Sequence, residues 1–242
     1  MYREYKKEKE FAMIFKTELH LHTAEVSDCA TAPAKLSADL YAAAGYSTVV
    51  VTNHMSKYTY KNKRFDHSED PWDVKCDYYM NGYHTMIEAA AGRFQVLLGM
   101  ELRSNTNDND YLIYGMTEEF MRAWPKMMDM PLKELVPAVH EAGMLFYQAH
   151  PFRNSMKITN PELLDGIEVY NGHPGHDSRN DIAVMWAKKF NLLQSSGTDF
   201  HHARHVPDGG IETDFPITSN EQLVKTLREG NFTLIRSDSV PG

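Results

Sequence analysis

Residues 16–30 read KTELHLHTAEVSDCA, and the spacing of the two histidines sets how the rest is read. On a β-strand, side chains at i and i+2 share a face, about 7 Å apart along the strand. His20 and His22 are therefore expected to project together, with Leu19 and Leu21 facing the other way. Two converging imidazoles suit a divalent metal, and Glu25 and Asp28 follow in the next loop. Two ordinary surface histidines would read the same, so the decision lies elsewhere in the chain.

Outward from this stretch, strand-like runs alternate with helix-like segments. The strand candidates are residues 13–22, 47–54, 94–103, 110–116, 143–150, 166–172, 191–201 and 232–237, mostly apolar and β-branched. Helices are expected over 32–46, 77–92, 131–143, 178–190 and 219–230. Pro33 near a start, Gly45, Gly92 and Gly143 at ends, and Ser178 and Ser219 as caps mark their limits. Pro137 is an awkward interior residue expected to kink its helix. This alternation over 242 residues predicts an α/β protein with a parallel (β/α) barrel, a doubly wound open sheet being the runner-up. Residues 1–242 are expected to form a single domain, with the polar, aromatic and Lys-rich stretch 55–75 as a lid or substrate loop.

Composition narrows the function. Hydrophobic residues make up 42% and charged residues 24%, the balance of a protein with a sizeable core. No run of eighteen apolar residues is present, and the first fifteen residues do not resemble a signal peptide, so a cytoplasmic protein with no membrane span is expected. Cys29 and Cys76 are too few for a disulfide framework and read as reduced thiols. A net charge of −8 makes nucleic acid an unlikely partner while leaving room for a small phosphorylated substrate at a local cationic site.

In a (β/α) barrel the chemistry lies at the C-terminal ends of the strands. Those ends carry His20 and His22, then Asn53 and His54, Glu101 and Arg103, His150, Asn171, and finally Asp199, His201 and His202. One histidine after a strand means little. Ligand-type residues at five separate strand ends point to a shared metal site. Imidazole and carboxylate without thiolate suit a catalytic centre better than a structural zinc. His67, His84 and His140 read as structural or solvated, and His173, His176 and His205 as loop residues near strand ends.

Five segments in order, HLHT (20–23), VTNH (51–54), GMEL (99–102), AHPFR (149–153) and SGTDFHH (196–202), resemble the PHP (polymerase and histidinol phosphatase) metal-dependent phosphoesterases. GGIETDFPI at 209–217 is similar to the C-terminal region of that family. The resemblance implies a distorted seven-stranded (β/α)7 TIM-like barrel with two or three divalent ions (Zn, Mn or Fe) in its mouth. It then places an extra apolar run, 110–116 or 232–237, outside the barrel count. It implies that His20, His22 and Asp199 hold one ion, that Glu101 bridges to a second held by His150, and that His54 and His201 hold a third with Glu25 or Asp28. Two positions depart from the pattern. Asp110 stands where the family commonly has His and remains a candidate ligand, since a carboxylate can still bind metal, more weakly or with a different preference. Asn53 stands where the family commonly has Asp.

The implied reaction is hydrolysis of a small phosphate ester. Ions about 3.5–4 Å apart activate a bridging hydroxide and stabilise the charge that gathers on the transferring group. Glu101 is the central catalytic carboxylate, and His202 a candidate proton donor to the leaving oxygen. Arg153 is the first choice for a phosphate clamp, then Arg103 and Lys57, with Asn171 orienting substrate or water. The alternatives are a C–N bond metallohydrolase of amidohydrolase type and a non-catalytic metal-binding module. Oligomeric state is not legible in the sequence.

Overall fold

The first strand departs from simple alternation. In the computed structural model, which describes residues 13–61 and 66–237, strand β1 (Phe15–Leu21) pairs in parallel with β2 (Tyr46–Val51), and the register shifts between Glu18 and Leu21. Leu19 consequently joins a central cluster with Val50, Leu112 and Leu145, while Leu21 packs with Tyr41 and Phe200 in a different one. A bulge reorients side chains and removes backbone groups from the ladder. Here the Glu18 carboxylate accepts the N–H groups of Leu19 and His20 at 3.0 and 2.9 Å. It also accepts Thr198 N–H at 2.9 Å, the Thr198 hydroxyl, and the Tyr41 hydroxyl at 2.7 Å. Glu18 is fully buried, and burial raises its pKa despite these five donors.

The strands form two sheets. The first has the order β11–β10–β1–β2–β4, with β4 (Gln95–Leu98), β10 (Ile211–Thr213) and β11 (Thr233–Leu234). The second has the order β3–β5–β6–β7–β8–β9, from His54–Met55 through Met100–Arg103, Asp110–Tyr114, Leu145–Gln148 and Gly166–Asn171 to Leu193–Gly197. The sheets adjoin along one interrupted parallel ladder. Val51 faces Leu98 in the first sheet, and His54 faces Glu101 in the second. Gly99 permits the break, since a Cβ there would meet the Val50 and Thr52 side chains at 2.8 and 2.9 Å. At the other edge a parallel bridge between Leu21 and Phe200 ties β1 to the segment after β9.

The sheet is mixed, in contrast to the all-parallel expectation. β6 runs antiparallel to both β5 and β7. Only residues 104–109 separate β5 from β6, too few for a helical crossover. The 110–116 run is thus integrated between two strands, and Asp110, at its start, lies directly opposite Arg103. The 232–237 run contributes only the short edge strand β11.

Helices α1 (Ala34–Ala43), α3 (Trp72–Ala90), α5 (Leu132–Glu141), α6 (Asn180–Phe190) and α7 (Asn220–Glu229) match the five expected. α3 begins five residues earlier than expected, and α5 runs through Pro137. Two short helices, α2 (Lys57–Tyr60) and α4 (Glu118–Ala123), were not expected. The first gives order to part of the 55–75 stretch. Ser56 and Thr59 form a reciprocal capping box, and Tyr60 is buried against the main core. Residues 1–12 and 62–65 lie outside the described residues.

Gly197 is where fold and centre touch, because a Cβ there would fall 2.3 Å from His20 Cβ and 2.8 Å from Glu168 Oε1. Gly197→Ala is expected to lower stability by about 1–3 kcal/mol, the cost of overpacking a core position. Urea unfolding of the metal-free protein measures this, and an unchanged midpoint would show that β1 and β9 separate freely.

Candidate metal centre

The strand ends converge. His20 Nε2 and His22 Nε2 are 3.0 Å apart, and both rings are fully buried. Around them stand two acids, Glu101 and Asp199. His20 Nε2 lies 3.4 Å from Glu101 Oε1 and 3.4 Å from Asp199 Oδ1, and His22 Nε2 lies 3.3 Å from Glu101 Oε2 and 3.5 Å from Asp199 Oδ1. Ligand bonds of about 2.0–2.2 Å in a tetrahedral arrangement put donor atoms roughly 3.3 Å from one another. The spacing is that of one shared ion.

Glu101 is the hub. Its Oε1 also faces His150 Nε2 at 3.1 Å, and its Oε2 faces His54 Nδ1 at 2.8 Å. His22, His54 and His201 form a second group, with one nitrogen of each within 4.8 Å of the others. His54, Glu101 and Asp110 form a third such group.

Hydrogen bonds behind the rings fix which nitrogen faces inward. Glu168 Oε1 accepts from His20 Nδ1 at 2.8 Å, and the backbone oxygen of Asp199 accepts from His201 Nδ1 at 2.9 Å. For His22 the partner is Ser27 Oγ at 3.1 Å. Ser27 gives its only proton to Asn53 Oδ1 at 2.9 Å, so Ser27 Oγ accepts from His22 Nδ1. All three rings therefore present Nε2 as the lone-pair atom when neutral. Two such atoms 3.0 Å apart repel unless a proton or a cation lies between them. The donor set fits a divalent metal.

Without metal, a proton takes that place. Burial opposes charge on His20, but Glu168, Asp199 and Glu101 outweigh it and raise the pKa well above its usual value. Burial likewise opposes charge on His54, and Glu101 overcomes it. Burial would raise the pKa of Glu101 and Asp199, yet the facing imidazoles hold both well below the carboxylate range. His201, by contrast, is driven low by burial and then by His22. Beyond it, burial brings His173 and His205 down to about 4, so these loop rings are neutral at neutral pH.

Of the residues singled out in the sequence, His20, His22, His54, Glu101, Asp110, His150, Asp199 and His201 come together. Others do not join them. Both carboxylate oxygens of Glu25 accept the Ala34 N–H, so that side chain caps α1 instead of reaching the centre. Asp28 is exposed and lines a cavity of about 290 Å³ with His54, Ser56, Tyr58 and Arg103. Both ends of the Asn171 amide are engaged by protein groups. Its Nδ2 donates to Glu168 and Asp199, and its Oδ1 accepts from His173 N–H and the Ser178 hydroxyl. His202 contacts Thr31 at 2.7 Å, its ring 6.1 Å from that of His201. Arg103 and Arg153 border a cavity of about 400 Å³ while holding Asp110. Lys57 opens α2, with its ammonium over the Tyr58 ring.

Sequence reasoning passed over Glu168 and Ser27. Glu168 is buried and also accepts the His150 N–H at 3.0 Å, so one carboxylate positions two strand-end histidines. The signal was an acid inside the apolar strand GIEVY. Asn53, read as a lost carboxylate, instead acts through Ser27 on His22. Cys29, read as an unremarkable thiol, is exposed at the rim beside His54.

The family model for the PHP-associated segment matches residues 177–232. Among solved structures, the chain is similar to a two-domain protein of Bacteroides vulgatus containing a predicted PHP-like metal-dependent phosphoesterase. The TM-score is 0.65 at 15% identity, covering 93% of this chain and 65% of that one. It is similar too to an amidohydrolase from Chromobacterium violaceum with bound sulfate and no metal (TM-score 0.57, 16% identity, 93% and 99% covered). A third likeness is to the lesion-specific endonuclease EndoQ from Pyrococcus furiosus (TM-score 0.61, 14% identity, 92% and 58% covered). The chain thus spans less than two thirds of the Bacteroides and Pyrococcus proteins. No curated protein matches it. Fold and side-chain cluster together define the class, a mixed α/β protein with groups able to hold metal. The resemblance to the PHP family read from the five motifs is borne out by the matched segment and the shared fold. Among the described residues no helix is long and apolar enough to cross a membrane.

Two outcomes follow for metal binding. Glu168→Gln removes the carboxylate behind His20 and is expected to weaken binding by about 10–100-fold, measured by chelator competition. An unchanged affinity would make Glu168 incidental. The raised His20 pKa means its ion pairs stabilise the metal-free protein fully below about pH 6.5, and that stability is lost as pH rises through the folded value. Binding must displace the same proton. Calorimetry in buffers of different ionisation enthalpy is therefore expected to show proton release, with affinity rising from pH 6 to 8. A pH-independent affinity would contradict this assignment.

Proposed function

We propose that the chain is a metal-dependent phosphoesterase acting on a small phosphorylated molecule, monoester rather than nucleic acid. The observation that carries this reading is Glu101, whose two oxygens face four imidazoles at 2.8–3.4 Å next to a cavity bordered by two guanidiniums. We propose further that residues 1–242 form one domain, a distorted (β/α)7 barrel with the centre at its mouth. The two junctions between the sheets support that closure.

In this reading His20, His22, Asp199 and Glu101 hold one ion, and His54 and His201 help hold another, with Zn, Mn or Fe as the candidates. When bound, such ions supply Lewis-acid charge neutralisation and activate water. The chain's own residues do the rest. Glu168, Ser27 and the Asp199 backbone keep the rings in the tautomer that binds. Arg103 and Arg153 grip the phosphate oxygens and align the ester. His202, held by Thr31, transfers a proton to the leaving oxygen.

Other readings draw less support. The Chromobacterium neighbour carries the amidohydrolase name, but no lysine is buried among the described residues to serve as a carboxylated bridge. The Pyrococcus neighbour acts on nucleic acid, whereas this chain has a net charge of −8.

The test is phosphate release from p-nitrophenyl phosphate with Mn, Zn or Fe, beside bis-p-nitrophenyl phosphate and a single-stranded oligonucleotide. Monoester turnover is expected, and Glu101→Gln should reduce it by at least about 100-fold, the scale of losing one preorganised electrostatic partner. Preferred cleavage of the diester or oligonucleotide would overturn the substrate class. Full activity in Glu101→Gln would overturn the mechanism.

A further inference from the structure

Asp110 stands where the family resembled in sequence commonly has His, a position at which a carboxylate can still bind metal. Its surroundings are those of a different role. Arg103 Nη1 donates to both carboxylate oxygens at 3.0 Å, and Arg153 Nη2 donates to Oδ2 at 3.1 Å. The carboxylate is fully buried, while the two arginine side chains are 29% and 19% exposed. His150 Nε2 lies 3.9 Å from Oδ2, beyond hydrogen-bonding distance.

Charge separates this corner from the other two. The His20–His22 position has two imidazoles and two carboxylates converging on it, and the His22–His54–His201 position has three imidazoles. Neither is described with a guanidinium against its ligand atoms. His54 and Glu101 also offer ligand atoms within 4.8 Å of Asp110, but to the charge of Glu101 this corner adds one negative and two positive charges, a net +1. Two guanidiniums already engage both Asp110 oxygens, and their charge repels a divalent ion.

We infer that Asp110 is a positioning residue for Arg103 and Arg153 and not a metal ligand, so that the chain holds two ions and its guanidiniums stand in for the third. The antiparallel β6 makes this possible by setting Asp110 opposite Arg103 across the ladder. Arg153 arrives from the turn after β7, three residues beyond His150. With one guanidinium held at two points and the other at one, both border the 400 Å³ cavity, together with Ser155, His176 and Asp177. A buried carboxylate that orients two arginines toward a cavity makes a preformed clamp for a phosphate oxyanion. This inference rests on reading the cluster as a metal centre, and it fixes the ion count and the anion-binding residues of that centre.

The experiment counts ions per chain by mass spectrometry after Mn²⁺ loading and desalting, and measures inorganic phosphate binding to the loaded protein by calorimetry. Wild type is expected to carry two ions. Asp110→Asn should also carry two while binding phosphate at least about tenfold more weakly, because the arginines lose their fixed partner. A count that falls by one in Asp110→Asn, or a wild type with three, overturns the inference and leaves the metal centre standing. A wild type that binds no ion overturns both. If Asp110→Asn does not fold, the Arg103→Gln/Arg153→Gln double variant decides. It should bind phosphate at least about tenfold more weakly with no loss of ions, and a wild-type phosphate affinity or a count below two overturns the inference.

Discussion

The structure depends on satisfying carboxylates that are buried inside a protein. Glu18, Glu101, Asp110, Glu168 and Asp199 are each at most 2% exposed, on or just after strands β1, β5, β6, β8 and β9. An uncompensated buried charge is among the most costly features a fold can contain. Each of the five is compensated differently. Glu18 collects hydroxyl and backbone donors, Glu168 an imidazole, an amide and a backbone N–H, and Asp110 two guanidiniums. Glu101 and Asp199 have mainly imidazoles, which satisfy them as cations or through a shared metal. The two acids with the most adaptable partners are the two at the centre.

That division separates scaffold from chemistry. The Glu18 network pins Thr198 to β1 and so places Asp199, whose backbone adopts a left-handed φ of 51°. An aspartate in that conformation carries strain of order 1–3 kcal/mol, which the surrounding hydrogen bonds must offset. His150, at φ 27°, is held by Glu168 through its N–H. Strained backbone at two of the strand-end ligand positions is consistent with selection for geometry over local comfort. The same logic explains Asn53, which keeps Ser27 in place to orient His22.

The mixed sheet adds a second division. Parallel strands deliver their C-terminal residues to the centre, and these are the imidazoles and the central acids. The inverted strand β6 delivers its first residue, Asp110, and with it the anchoring point for two arginines. Strand β6 therefore brings two guanidiniums to one side of a site otherwise built from imidazoles and acids. A phosphoryl group, whose negative charge is shared by its terminal oxygens, is complementary to that asymmetry.

The sequence by itself determined the strand–helix alternation, the five main helices and the strand-end residues that meet, because periodicity and ligand-type residues are local signals. It also exposed Arg153 and Arg103 as the cations nearest those strand ends. It did not reveal the direction of β6 or the register shift in β1, since hydrophobic pattern carries no sign for strand direction and a bulge leaves no compositional mark. The partners of acids were hidden for the same reason. Glu25 turned to cap α1, Glu168 came in from an apolar strand and Asn171 joined the carboxylates of Glu168 and Asp199. Which donor meets which buried carboxylate is fixed by contacts across as many as 180 positions of chain, as between Glu18 and Thr198, and only tertiary packing brings such residues within hydrogen-bonding distance.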